Sequence, residues 1–389
     1  AWLRLAQVNY NLKQDAQALD KARTAVSSYP GAPEAADAFD LAEAVFDRNP
    51  GMDFKAWFNG LAAREPADKT SGEAVFRLGR RLFEKKDYAG AIEDLKKFSV
   101  EYIDHPEIKD AQFYLGEAYF QTNDMENAAS VFSRFAANYQ DAKEHPVALF
   151  RLGNAYYNQK KHDEAAKAYA RLAELYPQSE YIKPALFNLA LCYKNIGDTD
   201  KAEESYRRYY ELTGKGDDAL GALWEIFNIQ KTRGDLAGAL KTLTQIYGEA
   251  DGKEDGLEAM YYMGEMNYDN KQPDEARDYW ERLAQQKPAG SAWRLQGLVK
   301  LGEIYEGEKN YQEAARVYND IARNSSKPDV ARAAAERAKS LLAAMKAEAA
   351  PAAEQPAQQP AAKAAAKPAS KTASPAKAKK APARRKKAA

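Results

Sequence analysis

The sequence predicts an all-α solenoid of about nine stacked helix pairs, closed by one further helix and followed by a basic tail. Three observations indicate this fold. A small residue recurs roughly every 37 positions, large apolar residues follow three- and four-residue spacing on both sides of a short polar break, and the composition changes abruptly near Ala349. Spacing of three and four places apolar side chains on one helix face. A single helix pair cannot bury such a face, whereas stacked pairs bury it between them, so the pair has to repeat.

The recurring small residue, which we call the anchor, sets the register of the repeats. The residue twelve positions after the anchor is Ala in every unit but the second. The residue sixteen positions after the anchor usually has a large side chain. Phe54 replaces the Ala of the second unit and Phe227 replaces a small anchor, so we expect different packing at these two places. In chain order, the nine anchors of repeats one to nine are Ala6, Ala42, Gly79, Gly116, Gly153, Ala190, Phe227, Gly264 and Gly302.

Capping residues mark where the helices begin. An Asp or Asn side chain eight residues after the anchor can accept a hydrogen bond from a free backbone N–H group of the second helix. Proline is tolerated where a first helix starts, because no partner is needed there for the missing N–H. The predicted capping residues are Asp87, Asp124, Asp198, Asp235 and Asn310, and the prolines at first-helix starts are Pro106, Pro146, Pro184 and Pro328.

The repeated pattern resembles the tetratricopeptide repeat over residues 1 to about 326. One unit shows it best, with Leu152-Gly153, Tyr156, Ala165, Tyr169 and Pro177 at the offsets of that family. The resemblance implies a right-handed superhelical array over residues 1–327, with a period of 37 in place of the usual 34. The segment 175–206 is also similar in style to two bacterial envelope proteins, the Tol-Pal-associated periplasmic protein and the repeat-carrying outer-membrane assembly lipoprotein. That finer resemblance implies a periplasmic, cell-envelope location.

Three columns of residues repeat on the first helix of each unit and form the candidate binding site. The first column lies three residues before the anchors and includes Phe76, Phe113, Phe150, Phe187, Trp224 and Tyr261. The second column lies four residues after the anchors and includes Phe83, Phe120 and Tyr157. A polar line lies one residue after the anchors and includes Arg80, Glu117, Asn154, Asn228 and Glu265.

All three columns share one helix face, because residues seven apart are separated by two helical turns. In tetratricopeptide arrays this face looks into the concave groove. Two interpretations remain open for the aromatic columns: a ladder for an extended peptide or sugar chain, or packing between repeats. We expect the polar line to supply hydrogen-bonded specificity.

No motif in the sequence predicts catalysis, a metal site or a cofactor. HExxH, a glycine-rich phosphate loop and a nucleophile elbow are all absent from the sequence. The three histidines, His105, His145 and His162, are predicted to be surface turn residues. The single cysteine, Cys192, cannot form an intrachain disulfide and is predicted to be a small buried hydrophobe.

The two ends of the chain differ from the repeats. Residues 328–348 place Ala and Leu on one helix face and Arg, Glu and Lys on the other, and they predict a capping helix. Residues 349–389 contain ten Lys and Arg against one Glu, with no aromatic residue and no aliphatic residue larger than Ala, so they predict a disordered tail. At the other end the chain opens inside a repeat without Met, and we expect its true N-terminus to lie upstream.

The tail has three open interpretations: nucleic-acid binding, contact with anionic envelope polymers or lipid head groups, or a tether without its own partner. The candidate polyanion-binding residues are Lys377, Lys379, Lys380, Arg384, Arg385, Lys386 and Lys387.

These features predict a non-catalytic scaffold that holds one or more protein partners in its groove, in an assembly of the bacterial cell envelope. Two alternatives remain at this point. One is a cytoplasmic nucleic-acid-associated adaptor that uses the basic tail. The other is an exopolysaccharide-secretion scaffold whose aromatic column contacts sugar rings.

Overall fold

A computed structural model of the protein describes residues 1–63, 69–250 and 252–349. The described residues form helices and connecting turns and contain no strand, which confirms the predicted all-α fold. The predicted tail, residues 350–389, lies outside the described residues. Among the described helices, none combines the length and apolar character that crossing a membrane requires.

The helices alternate between the first and second helix of each repeat, and each one packs against the next along the chain, the third against the fourth through rings such as Phe39 and Phe58, 6.2 Å apart. The first helices are α1 (Trp2–Asn11), α3 (Pro33–Arg48), α5 (Lys69–Glu84), α7 (Ile108–Gln121), α9 (His145–Asn158), α11 (Ile182–Ile196), α13 (Asp217–Arg233), α15 (Glu254–Asp269) and α17 (Ala292–Gly307). The second helices are α2 (Asp15–Ser28), α4 (Phe54–Ala62), α6 (Tyr88–Glu101), α8 (Met125–Asn138), α10 (His162–Leu175), α12 (Thr199–Thr213), α14 (Leu236–Glu249), α16 (Pro273–Ala284) and α18 (Tyr311–Asn324). The last helix, α19 (Pro328–Ala349), packs against α18.

The predicted helix caps are confirmed. Each capping side chain accepts a hydrogen bond from the backbone N–H three residues further on, at the N-terminus of a second helix. Asn310 forms only half of a capping box: its Oδ1 accepts from Glu313 N at 3.4 Å, while the Glu313 carboxylate accepts from Arg316 Nε at 2.7 Å. The five confirmed caps are Asp87, Asp124, Asp198, Asp235 and Asn310.

A second regular feature of the turns was not predicted. The residue seven positions after the anchor has a positive φ, between 58° and 89°, in eight of the repeats. Glycine occupies this left-handed position at Gly197 and Gly234, whereas lysine or asparagine occupies it elsewhere. Glycine accepts this conformation without steric cost, and residues with a Cβ do not. The positions are Lys13, Lys86, Asn123, Lys160, Gly197, Gly234, Lys271 and Lys309.

The anchors are small because large rings lie against them. A Cβ atom at Gly153 would lie 2.5 Å from the ring of Tyr169, and a Cβ atom at Gly264 would lie 2.2 Å from Trp280 Nε1. Where the anchor is Phe227, the residue sixteen positions later is Leu243, and both side chains are buried. The large anchor Phe227 is accommodated with Leu243 in one buried hydrophobic cluster.

The histidine predictions need correction. His145 is fully buried at the start of α9, where its Nδ1 lies 2.6 Å from Tyr176 Oη and its Nε2 lies 3.1 Å from the Ala136 carbonyl oxygen. The side chain of His105 is also largely buried, with its ring 5.1 Å from that of Phe98. Both surface predictions are wrong, because each side chain packs against the preceding second helix, at Ala136 of α8 and at Phe98 of α6.

The prediction for Cys192 is confirmed. Its side chain is fully buried in α11, and the thiol is free. Burial raises the pKa of the Cys192 thiol to about 12, which disfavours the reactive thiolate.

Candidate interaction face

Most rings of the first aromatic column lie between the two helices of their own repeat, whereas Trp224 contacts Tyr262 of the next first helix. Phe76 and Tyr261 are buried, whereas Phe113, Phe150, Phe187 and Trp224 are half-buried. The Phe76 ring lies 5.6 Å from Phe98, and the Phe187 ring lies 5.7 Å from Tyr206, with both partners on second helices. Packing is therefore an observed role of this column, and partner binding by its exposed edges stays a prediction.

The second column is more accessible and joins neighbouring repeats. Phe83, Phe120 and Tyr157 are half-buried. The Phe83 ring lies 5.4 Å from Tyr114 of the next repeat, and the Arg151 guanidinium lies 4.9 Å from the centroid of the Phe120 ring.

A fourth column, two residues before the anchors, was missed by the sequence reasoning. We call it the junction column. Its members contact the second column or the polar line of the preceding repeat, as when Lys194 Nζ lies 2.6 Å from Glu225 Oε2. The same 37-residue spacing could have revealed it, but its mixed composition hid the signal. The junction column includes Arg77, Tyr114, Arg151, Asn188, Glu225 and Tyr262.

Most of the polar line is engaged in pairs between repeats. Arg80 donates to both carboxylate oxygens of Glu43 at 2.8 and 2.9 Å. The Glu117 carboxylate accepts from Arg151 Nε at 2.7 Å, and Asn154 Oδ1 accepts from Asn188 Nδ2 at 3.3 Å.

The remaining two members of the polar line differ from these. Glu265 accepts a hydrogen bond from the Tyr261 hydroxyl at 2.8 Å, within its own repeat. Asn228 is exposed. The predicted role of this line in specificity stays a prediction, and its observed role is to tie first helices together.

The junction between repeats two and three carries the densest ion pairing. Arg77 Nη1 lies 2.6 Å from Asp40 and 3.3 Å from Glu43, and Arg77 Nε also pairs with Glu73. Burial raises the pKa of Glu43, while Arg77 and Arg80 oppose that shift.

Family models of the tetratricopeptide repeat match residues 1–32, 76–143, 144–215 and 258–289, which together make up more than half of the chain. The chain is a tetratricopeptide repeat protein. No curated protein sequence matches it significantly.

Several solved structures resemble this chain at low sequence identity. A tetratricopeptide repeat protein from Parabacteroides merdae is 15% identical, with 69% of this chain and 98% of that chain covered and a TM-score of 0.37. The C-terminal part of a repeat protein from Cytophaga hutchinsonii is 14% identical, with 66% and 97% covered and a TM-score of 0.43. MamA is 19% identical, with 51% and 97% covered and a TM-score of 0.32.

The last tetratricopeptide repeats present a different surface on the same face. Three glutamates there lie beside a group of rings, in which Tyr261 and Tyr262 lie 5.4 and 5.7 Å from Trp293. Burial, with Asp255 and Glu254 nearby, raises the pKa of Glu258. We call this surface the acidic–aromatic face and define it by Glu258, Glu265, Glu303, Tyr261, Tyr262 and Trp293.

Across residues 1–63, 69–250 and 252–349, no group of three or more His, Cys, Asp or Glu side chains is arranged to hold a metal ion.

Proposed function

We propose that this tetratricopeptide repeat protein is a non-catalytic scaffold that binds protein partners along the first-helix face, in an assembly of the bacterial cell envelope. One observation carries the proposal: half-buried rings of the second column alternate with junction-column side chains across α5, α7 and α9. Phe83 contacts Tyr114, and Phe120 contacts Arg151, so the contacts continue from one repeat to the next.

This arrangement suits an extended protein segment. The rings are held by packing, so they lose little conformational freedom when a partner binds. Aromatic and Arg side chains also contribute disproportionately to binding energy at protein interfaces. A face built from them at regular spacing offers successive contacts to one partner chain.

The envelope location rests on the resemblance of segment 175–206 to envelope repeat proteins, and we propose the periplasm as the compartment. Fractionation of the native host by osmotic shock tests it. The protein is expected in the periplasmic or membrane-associated fraction, and recovery with cytoplasmic markers alone would overturn this part of the proposal.

The binding proposal is tested by affinity capture from native lysate, with washes at about 0.5 M salt, where charges are screened within a few ångströms. A Phe83→Ser/Phe120→Ser variant is expected to lose the proteins that the wild type retains.

The matched control replaces exposed apolar residues away from the first helices, with Tyr29→Ser, Ile103→Ser and Leu175→Ser. It is expected to retain the same proteins. Circular dichroism confirms that both variants keep their helices. Equal retention by both variants would contradict the proposal, and capture of nucleic acid or polysaccharide alone would favour one of the two alternative functions.

A further inference from the structure

The acidic–aromatic face differs from the rest of the array because its carboxylates lack cationic partners. Among the described residues, Glu258, Glu265 and Glu303 have no Lys, Arg or His nitrogen within 4.0 Å. Lys300 occupies the junction position opposite Glu265 but forms no ion pair with it.

Elsewhere on the first helices, carboxylates at corresponding positions are paired. Glu43 and Glu117 hold the same repeat position as Glu265 and Glu303, and they pair with Arg80 at 2.8 Å and with Arg151 at 2.7 Å. The last repeats therefore carry a surplus of negative charge that the array neutralises at its other junctions.

The rings beside these carboxylates favour a cation. Lys231 Nζ already lies 4.6 Å from the centroid of the Tyr262 ring, so this ring accepts an ammonium group over its face. Tyr262 and Trp293 are half-buried and Glu303 is exposed, which leaves room for a ligand beside them. Rings and carboxylates together suit the side chains of a Lys- and Arg-rich peptide.

We infer that the acidic–aromatic face binds the protein's own basic segment, residues 363–387. Ten Lys and Arg residues fall within this segment, without any Asp or Glu. The partner is thus a segment of the same chain with complementary charge, and its docking would cover part of the face on which we propose that protein partners bind.

The tail begins near the Glu303 end of this face. The helix before it, α19, is tied to the last repeat by Arg337 Nε, which donates to Glu306 Oε1 at 3.0 Å, and by the Tyr311 hydroxyl, which donates to Glu348 at 3.3 Å. Tyr311 directly follows the short turn after α17, the helix that carries Glu303.

The length of the tail is sufficient. Neighbouring packed helices lie about 8–10 Å apart, so α15 lies about 20 Å from α19 across α17. A flexible chain of about 40 residues has a root-mean-square span of roughly 35 Å. Tethering also gives the segment an effective concentration of about 1 mM, which favours it over free basic peptides.

A contact-quenched fluorophore tests the docking in the full chain. Bimane attached at Ala383→Cys is quenched when it approaches Trp293, and the buried Cys192 does not compete for the label. We expect quenched emission at low salt and recovery at about 0.5 M salt, where screening weakens exposed ion pairs. Glu258→Gln, Glu265→Gln and Glu303→Gln together are expected to weaken docking by about tenfold, as three part-exposed ion pairs are lost.

The matched control neutralises three exposed glutamates on second helices, with Glu164→Gln, Glu174→Gln and Glu204→Gln. It is expected to remain quenched. A second variant, with Gln at Arg384, Arg385, Lys386 and Lys387, leaves the folded array unchanged and is expected to recover emission.

Equal emission from the two glutamate variants, or quenching that persists after the tail is neutralised, would overturn the inference. Quenching that disappears on dilution would assign the contact to a second copy and would also overturn it. Because the capture experiment alters Phe83 and Phe120, the proposed function can fail or stand independently of this result.

Discussion

The Tyr169 hydroxyl donates a hydrogen bond to Asn154 Oδ1 at 2.5 Å, and Asn188 of the next repeat donates to the same oxygen at 3.3 Å. This point joins both helices of repeat five to the first helix of repeat six. Thirty-seven residues later, Leu191 replaces the asparagine. The equivalent hydroxyl, on Tyr206, is buried and has no hydrogen-bond partner in the described part of the chain.

The two tyrosines are therefore expected to respond differently to loss of the hydroxyl. Tyr169→Phe removes the hydroxyl's hydrogen bonds with the half-buried amides of Asn154 and Asn188 and is expected to lower the free energy of unfolding by about 1–1.5 kcal/mol. Tyr206→Phe removes an unpaired buried hydroxyl and is expected to be neutral or to stabilise by up to about 1 kcal/mol. Urea unfolding followed by circular dichroism measures both, and equal destabilisation would show that the Asn154 contact contributes nothing.

The close approach of helices at the anchor predicts the effect of adding one methyl group. Gly153→Ala places a Cβ 2.5 Å from the Tyr169 ring and is expected to destabilise by about 1–3 kcal/mol, because the ring has to move within a packed core. Gly221 lies within α13 with nothing within 4 Å of its Cβ position. As the matched control, Gly221→Ala is expected to stabilise by about 0.5–1 kcal/mol through helix propensity. The melting temperatures of the two variants should therefore move in opposite directions.

The left-handed turn residues predict a stabilising substitution. Lys160 has a φ of 60°, and Lys160→Gly is expected to raise the free energy of unfolding by about 0.5–1 kcal/mol, after the greater flexibility of glycine in the unfolded chain is included. Gly197 occupies the same position one repeat later, with a φ of 89° and nothing within 4 Å of its Cβ position. Gly197→Ala tests the cost of the left-handed backbone conformation alone, because the added Cβ has no close neighbour. It is expected to lower the free energy of unfolding by about 1 kcal/mol. If both substitutions leave the urea midpoint unchanged, the left-handed conformation carries no cost there.

Asp94 predicts a pH-dependent effect on stability. Burial is the main cause that raises the pKa of Asp94 to about 6, and Glu93 adds to it. The pKa of the Asp94 carboxyl is higher in the folded protein than in the unfolded chain. Its contribution to the free energy of unfolding is therefore fully present below its unfolded pKa, near 4, and is lost as pH rises through about 6. Asp94→Asn is expected to stabilise by about 1 kcal/mol at pH 7, since the solvent-facing part of the carboxylate screens the effect.

The Asp94 effect is checked by urea unfolding at pH 7 and pH 4. The gain from Asp94→Asn is expected to shrink to a small part of its value at the lower pH, where the folded carboxyl is neutral and the unfolded one is only about half ionised. Glu101→Gln, at an exposed position on the same helix, is the control and is expected to change little. An equal gain at both pH values would show that the charge of Asp94 is not its cause.

The sequence alone was sufficient for features that depend on nearby residues or on a strict period. The repeat spacing predicted the stacked helix pairs, and the side chains of Asp87, Asp124 and their equivalents cap helices that begin at the next residue. Capping involves atoms three residues apart, so its physics is contained in a short stretch of chain. The burial of Cys192 followed from its place on the packed face of a first helix.

Only the tertiary structure decided which side chains of one repeat contact the next repeat. Three contacts join residues 31 to 34 positions apart: Arg151 pairs with Glu117, Phe83 contacts Tyr114, and the buried His145 contacts Tyr176. Whether a polar side chain on a helix face meets solvent or the next helix depends on the geometry of stacking, which the repeat pattern does not specify. The sequence therefore determined the array and the period of its columns. Stacking decided that most polar-line residues pair between repeats and that three glutamates near the tail have no cationic partner among the described residues.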